Sequence, residues 1–94
     1  MYYLLFYEVV SNYVEKRAPY RKQHLKLATE AVERGELLLG GATADPIDGA
    51  VLLFKSDSPE SAMSFARQDP YVKNHCVSSW QVREWTVVTG VLAE

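Results

Sequence analysis

The chain begins with an apolar alternation. In "YYLLFYEVV", Tyr3, Leu5, Tyr7 and Val9 fall on one side, and Tyr2, Leu4, Phe6, Glu8 and Val10 on the other. A period of two, rich in aromatic and β-branched residues, predicts a strand. Because both faces are mostly apolar, both should be covered. The period changes in "SNYVEKRAPYRKQHLKLATEAVERG". Ser11 or Asn12 is placed to cap a helix, and Pro19 limits where a regular helix can run. The spacing predicts a short turn near Tyr13 to Arg17, then a main helix from Ala18 or Pro19 to Arg34. Gly35 follows as its stop. On that helix Leu25, Ala28 and Val32 share a stripe that Leu27 and Ala31 widen, the expected core face.

The second half repeats the alternation of elements. "ELLLGGA" is a short apolar run ending in glycines, and "AVLLFK" is another; "TADPIDG" between them is turn chemistry. The two runs predict a hairpin. "SDSPES" opens a second helix, with Ser58 as cap, Pro59 at the first helical position and Glu60 near the positive end of the dipole. Ala62, Phe65 and Ala66 form its buried stripe, and Asp69-Pro70 ends it. "SWQVREWTVV" is the last strand, with Trp80, Val82 and Glu84 opposed to Gln81, Arg83, Trp85 and Val87.

The resulting order, βαββαβ, is that of a ferredoxin-like α+β fold: an antiparallel sheet with helices on one face. The apolar second face of the first strand then needs a cover. A second copy of the sheet supplies it, giving a sheet-to-sheet homodimer, a dimeric α+β barrel. Composition agrees. Hydrophobic residues make up 48% of 94 residues, rich for a chain that forms a single domain, 1–94, with a small core.

Charge and cysteine content narrow the function classes. A net charge of −2 without a Lys/Arg block argues against nucleic acid as a partner. No apolar run approaches the ~20 residues of a membrane span, so no membrane partner is expected. The N-terminus lacks the basic region and cleavage site of a signal peptide. Cys76 alone cannot form an internal disulfide, and a cytoplasmic location follows as the expectation.

Two polar residues stand out as candidate chemistry. His24 lies within the main helix, with Arg17 and Arg21 seven and three residues before it. A continuous helix puts all three on one edge. There the imidazole can act as a base while the guanidiniums hold an anion. The same residues also read as an ordinary charged surface. Asp69, before Pro70, reads as a helix cap, or as a carboxylate that meets His24 across the helix–sheet seam and fixes its tautomer. Tyr71 and Tyr20 are packing residues or pocket walls. His24, Asp69, His75 and Cys76 include metal-ligand types but show no ligand spacing, so no metal is expected. Nothing local activates Cys76 as a nucleophile, and "LLLGGA" is not a nucleotide motif.

Taken together, "YVEKRAPYRKQHL", "ERGELLLGGATADPIDGAVLLF", "FARQDPYVKN" and the closing "VREW" resemble the YciI-like (YCII-related) family, in family order and over nearly the whole chain. The resemblance implies a ferredoxin-like fold dimerised as an α+β barrel. It also implies an active site built on a histidine and an aspartate. These correspond to His24 in "RKQHL" and Asp69 in "DPYV", with Arg21 from the first motif and Tyr71 from the second. Some relatives are linked to dehydrochlorination of a chlorinated hydroquinone, and the wider fold hosts isomerases and monooxygenases. Fold alone does not choose among them.

Two functions fit these residues. One is a small enzyme without a cofactor, using His24 and Asp69 for proton abstraction, elimination or isomerisation of a small anionic or cyclic substrate. Arg21 and Arg17 would bind its oxygen, and Tyr3, Phe6 and Trp80 are the aromatics expected to shape its pocket. The other is a non-catalytic ligand-binding or interaction module. A polar pair kept only to satisfy buried groups is the plainest alternative.

Overall fold

The computed structural model describes residues 1–93. The elements run β1 (Tyr2–Val9), α1 (Tyr13–Arg17), a single 3₁₀ turn (Ala18–Tyr20), α2 (Arg21–Glu33), β2 (Leu37–Ala42), β3 (Gly49–Lys55), α3 (Glu60–Gln68), α4 (Pro70–Lys73) and β4 (Val77–Trp85). The four strands form one antiparallel sheet in the order β2-β3-β1-β4. The fold is ferredoxin-like α+β, as the element order predicts.

β1 sits between β3 and β4 and is the central rail of the sheet. Its odd-numbered residues face the helices. Tyr3 opposes Phe54 and Glu84, Leu5 opposes Leu52 and Val82, and Tyr7 opposes Ala50 and Trp80. Tyr3, Leu5 and Tyr7 join the core with Phe54, Phe65, Ala62 and Ala66. The Phe54 and Phe65 rings meet edge to face at 5.5 Å, an arrangement favoured by their quadrupoles. The even-numbered residues of β1 lie on the other face. Leu4 and Phe6 there are half-buried beside Leu53 and Val51 of β3.

A bulge in β2 decides which of its leucines is buried. Leu37 opposes Phe54 and Leu39 opposes Leu53, so the strand slips by one residue between them. Without the slip both leucines would share a face. With it, Leu37 enters the core at 4% exposure and Leu39 stands on the helix-free face at 66%.

Four expectations about the helices and β4 need adjusting. The main helix is not continuous from Ala18: Pro19 lies inside the 3₁₀ turn, and regular α2 starts at Arg21. The apolar stripe of α2 divides: Leu27, Ala28 and Ala31 pack on the core, while Leu25 and Val32 do not. Leu25 and Val32 are 46% and 53% exposed, and Ala31 is the fully buried residue of α2. α3 starts at Glu60, one residue late, although the Ser58 hydroxyl still accepts the Glu60 N–H at 3.3 Å. β4 ends at Trp85, so Val87 is not on it. Gly35 does stop α2. It adopts φ +77, donating to the Val32 carbonyl, while the Glu36 N–H reaches the Ala31 carbonyl. That pair of bonds is a Schellman motif, and its left-handed residue favours glycine.

A candidate acid–base site between α2 and the sheet

The site begins with a proline. Pro70 excludes the residue before it from helical geometry. Asp69 accordingly is extended (φ −66, ψ 122), and α3 ends there. Its carbonyl then accepts the N–H groups of Val72 and Lys73, starting the short α4. Its side chain caps the same turn, Oδ1 accepting the Tyr71 N–H at 3.0 Å. Asp69 is therefore the cap that the Asp-Pro pair suggests.

It is also more than a cap. Asp69 is fully buried at 0% exposure, where an unpaired carboxylate is untenable. Three donors surround it. The Tyr7 hydroxyl donates to Oδ2 at 2.7 Å. The Tyr71 N–H takes Oδ1. The third is His24, whose Nδ1 lies 2.9 Å from Oδ1 and 3.0 Å from Oδ2. A nitrogen facing both oxygens of a carboxylate carries the proton. In the neutral ring Nε2 is then an unprotonated acceptor. The second helix and the sheet thus meet at Asp69, which brings His24 and Asp69 together from 45 residues apart.

The imidazole is held on its faces as well. Tyr71 stacks on it at 3.9 Å, with 5° between the planes, and Phe65 approaches edge-on at 6.3 Å. Only 15% of the His24 side chain is exposed. Tyr13 in turn packs edge to face against Tyr71 at 5.8 Å, and the Arg17 guanidinium lies over the Tyr13 ring at 4.8 Å. A guanidinium above an aromatic face is attracted to its π electrons, which fixes Arg17 near the histidine.

His24 borders a cavity of about 440 Å³ between α2 and the β2–β3 hairpin. Arg17, Arg21, Tyr7, Tyr13 and Tyr71 line it too. Arg17, Arg21 and Tyr71, all expected to bind substrate, are thus gathered beside His24 despite the 3₁₀ turn. Among the described residues neither arginine has a carboxylate within ion-pair distance, so both charges are available to an anion. The outer edge of the α2 stripe supplies the rest: Leu25, Ala28 and Val32 form a wall of this cavity.

The aromatics expected to shape the pocket were the wrong ones. Tyr3, Phe6 and Trp80 do not line it; Tyr7, Tyr13 and Tyr71 do. Phe6 points to the helix-free face, and Tyr3 is buried four residues along β1 from Tyr7. The role of Tyr7 depends on register, which the sequence alone does not reveal. In "LLFYEV" the available signal was a hydroxyl-bearing residue on the same face as Leu5.

Burial and charge also sort the other ionisable groups. Burial pushes the Tyr7 phenol far above its ordinary range, and the Asp69 carboxylate beside it adds to the rise. Tyr71 is raised by burial and then by Tyr13, while Arg21 and Arg17 pull in the opposite direction. Cys76 is fully buried, and burial raises its thiol, leaving it no nucleophile. His75 sits at φ +60 before β4, away from the cavity lining.

Similar proteins place this geometry in context. An uncharacterized protein of Haemophilus influenzae is 29% identical over 82 residues, covering 78% of this chain and 84% of its own. Among solved structures, 5-chloro-2-hydroxyhydroquinone dehydrochlorinase (TftG) of Burkholderia phenoliruptrix, in complex with 2,5-dihydroxybenzoquinone, superposes with a TM-score of 0.75. It is 19% identical, over 90% of this chain and 93% of that one. A NIPSNAP family protein of Agrobacterium tumefaciens reaches a TM-score of 0.59 at 13% identity, over 97% and 96% of the two chains. These structures share the fold. Residues 1–86 match the YCII-related domain, and the chain belongs to that family.

Proposed function

We propose that this protein is a small acid–base enzyme in which His24 moves a proton through Nε2 while Asp69 holds its Nδ1–H. The observation that carries this is the saturation of a fully buried carboxylate by Tyr7, the Tyr71 backbone and His24. A carboxylate so fixed holds the imidazole in one tautomer and orientation, and steadies the imidazolium that forms when Nε2 takes a proton. Arg21 and Arg17 hold an oxyanion of the substrate, a carboxylate, phenolate or enolate, with the Tyr71 hydroxyl beside them. Removal of a proton next to such an oxyanion leads to elimination or isomerisation, chemistry that needs no redox cofactor. The dehydrochlorination named for the structural neighbour is an elimination, which supports this class of reaction on this fold without selecting a substrate.

The working unit is a homodimer packed sheet to sheet. Leu4, Phe6, Val51 and Leu53 form an apolar band on the helix-free face, extended by the exposed Leu39 and, at 45% exposure, Trp85. Apolar bands of this kind rarely stay in water. No helix among the described residues is long and apolar enough to cross a membrane, and the cytoplasm is the proposed location.

The test is turnover across a panel of small anionic and cyclic compounds with leaving groups or acidic C–H bonds. General acid–base catalysis by one residue supplies roughly 10²–10⁴-fold, so His24→Ala should lose about that much. Equal turnover in the variant would end the catalytic role. Binding without turnover in the unaltered protein would identify a ligand-binding module instead.

A further inference from the structure

The cavity is larger than a one-ring substrate needs. A cavity of about 150 Å³ holds benzene, and this one has nearly three times that volume at about 440 Å³. Its size comes from what the sheet omits. On the helix-facing side of β2 and β3 the cavity is lined by Gly40 and Ala42, opposite Leu52 and Ala50, and Ala28 of α2 lines the same space. Large side chains normally fill such a layer. Here three of those four sheet positions are glycine or alanine, Leu52 being the exception, and Leu25 and Val32 line the cavity from α2.

The two ends of the cavity differ in chemistry. Arg17, Arg21, His24 and Tyr71 gather by the first turn of α2, while its later turns contribute Leu25, Ala28 and Val32 with Thr29 as the polar side chain among them. The polar end also contains an unfinished hydrogen bond. Tyr71 is 1% exposed, yet its hydroxyl has no hydrogen-bond partner among the described residues. Arg21 reaches this phenol closely enough to act on it as a hydrogen-bonding neighbour and pull its pKa down against burial, but the contact falls short of a fully formed hydrogen bond. A buried hydroxyl left unpaired costs free energy unless something else meets it.

The geometry points to an amphipathic organic anion as the occupant of this cavity. Its oxyanion head meets Arg21, Arg17 and the Tyr71 hydroxyl. Its apolar body, longer than one ring, lies over Gly40, Ala42 and Ala50 beneath Ala28. This deepens the acid–base proposal by naming the substrate class of the same site, and the head position places the first carbons of the body beside His24.

The test is a binding series of straight-chain carboxylates from butanoate to decanoate, measured by calorimetry on the full chain with matched 1-alkanols as neutral controls. Each methylene buried in the cavity should tighten binding about fourfold, until the space is full. The alkanols should bind at least about tenfold more weakly than the carboxylates of equal length. Ala28→Leu, a change that suits a half-exposed helix position, should flatten the series onto the affinity of its shortest members. Arg21→Ala should bring carboxylates down toward the alkanols. Affinity that ignores chain length overturns the proposal. So does a series that rises equally in Ala28→Leu, because the chains are then held elsewhere, such as on the helix-free face of the sheet. Equal binding of alkanols and carboxylates overturns the head assignment and the proposal with it. None of these readouts needs turnover, so a chain-length series that succeeds beside an inert His24 removes the catalytic role alone.

Discussion

Replacing Tyr7 by phenylalanine deletes one hydroxyl and leaves the ring in the core. That hydroxyl donates to the fully buried Asp69 at 2.7 Å. A hydrogen bond to a charged acceptor contributes about 1.5–3 kcal/mol, and its loss leaves Oδ2 with only the longer contact to His24. A cost of about 2 kcal/mol corresponds to a fall in Tm of about 10 °C for a domain of this size. The pH dependence provides a second, independent signature. Burial and the Asp69 charge raise the Tyr7 phenol in the folded chain, whereas the unfolded chain ionises it near its ordinary value of about 10. Above that pH the unfolded state releases a proton that the folded state keeps. Stability contributed by the protonated phenol is thus complete below pH 10 and falls by about 1.4 kcal/mol per pH unit above it. Tyr7→Phe should lack that component. Thermal melts at pH 7 and between pH 9.5 and 11 decide it, at one fixed protein concentration because the Tm of the proposed dimer would depend on concentration. A variant as stable as the parent at pH 7, with the same alkaline decline, would show that Tyr7 does not hold Asp69.

Three further outcomes follow from the same contacts. Asp69→Ala removes the partner of His24 and the cap of α4 together, and should cost about 3–5 kcal/mol in urea unfolding; a loss under 1 kcal/mol would contradict the buried network. Gly35→Ala should destabilise by about 1 kcal/mol, because alanine is strained at φ +77 although nothing lies within 4 Å of its added carbon. Phe6→Glu places a charge in the helix-free apolar band and should yield monomers in sedimentation velocity; an unchanged dimer would mean that this face is not the interface.

Much of the fold is legible in the sequence because local signals agree with one another. The alternation in β1, the glycine after α2 and the Asp-Pro pair each mark an element that forms where expected. Asp69 shows where such reading stops. Its cap role is local and follows from Pro70, but its bond to His24 depends on how α2 crosses the sheet. Leu25 and Val32, on the same apolar stripe as Ala28, miss the core for a related reason. Helical periodicity identifies an apolar face without saying whether side chains or a cavity meet it. The cavity exists because Gly40, Ala42 and Ala50 are small and adjacent across two strands, a juxtaposition set by register. Tyr7 was hidden likewise: one residue of slip in β1 would turn its hydroxyl to the opposite face. Tyr3, Phe6 and Trp80 are equally aromatics of the sheet in the sequence, and only pairing distinguishes them from Tyr7.

The central claim is that Asp69 fixes which nitrogen of His24 carries the proton. Long-range ¹H–¹⁵N NMR of the histidine rings, recorded where His24 is neutral, reads this directly. The Nδ1–H tautomer, with Nε2 unprotonated, is the predicted result. An Nε2–H tautomer, or an even mixture of the two, would contradict it.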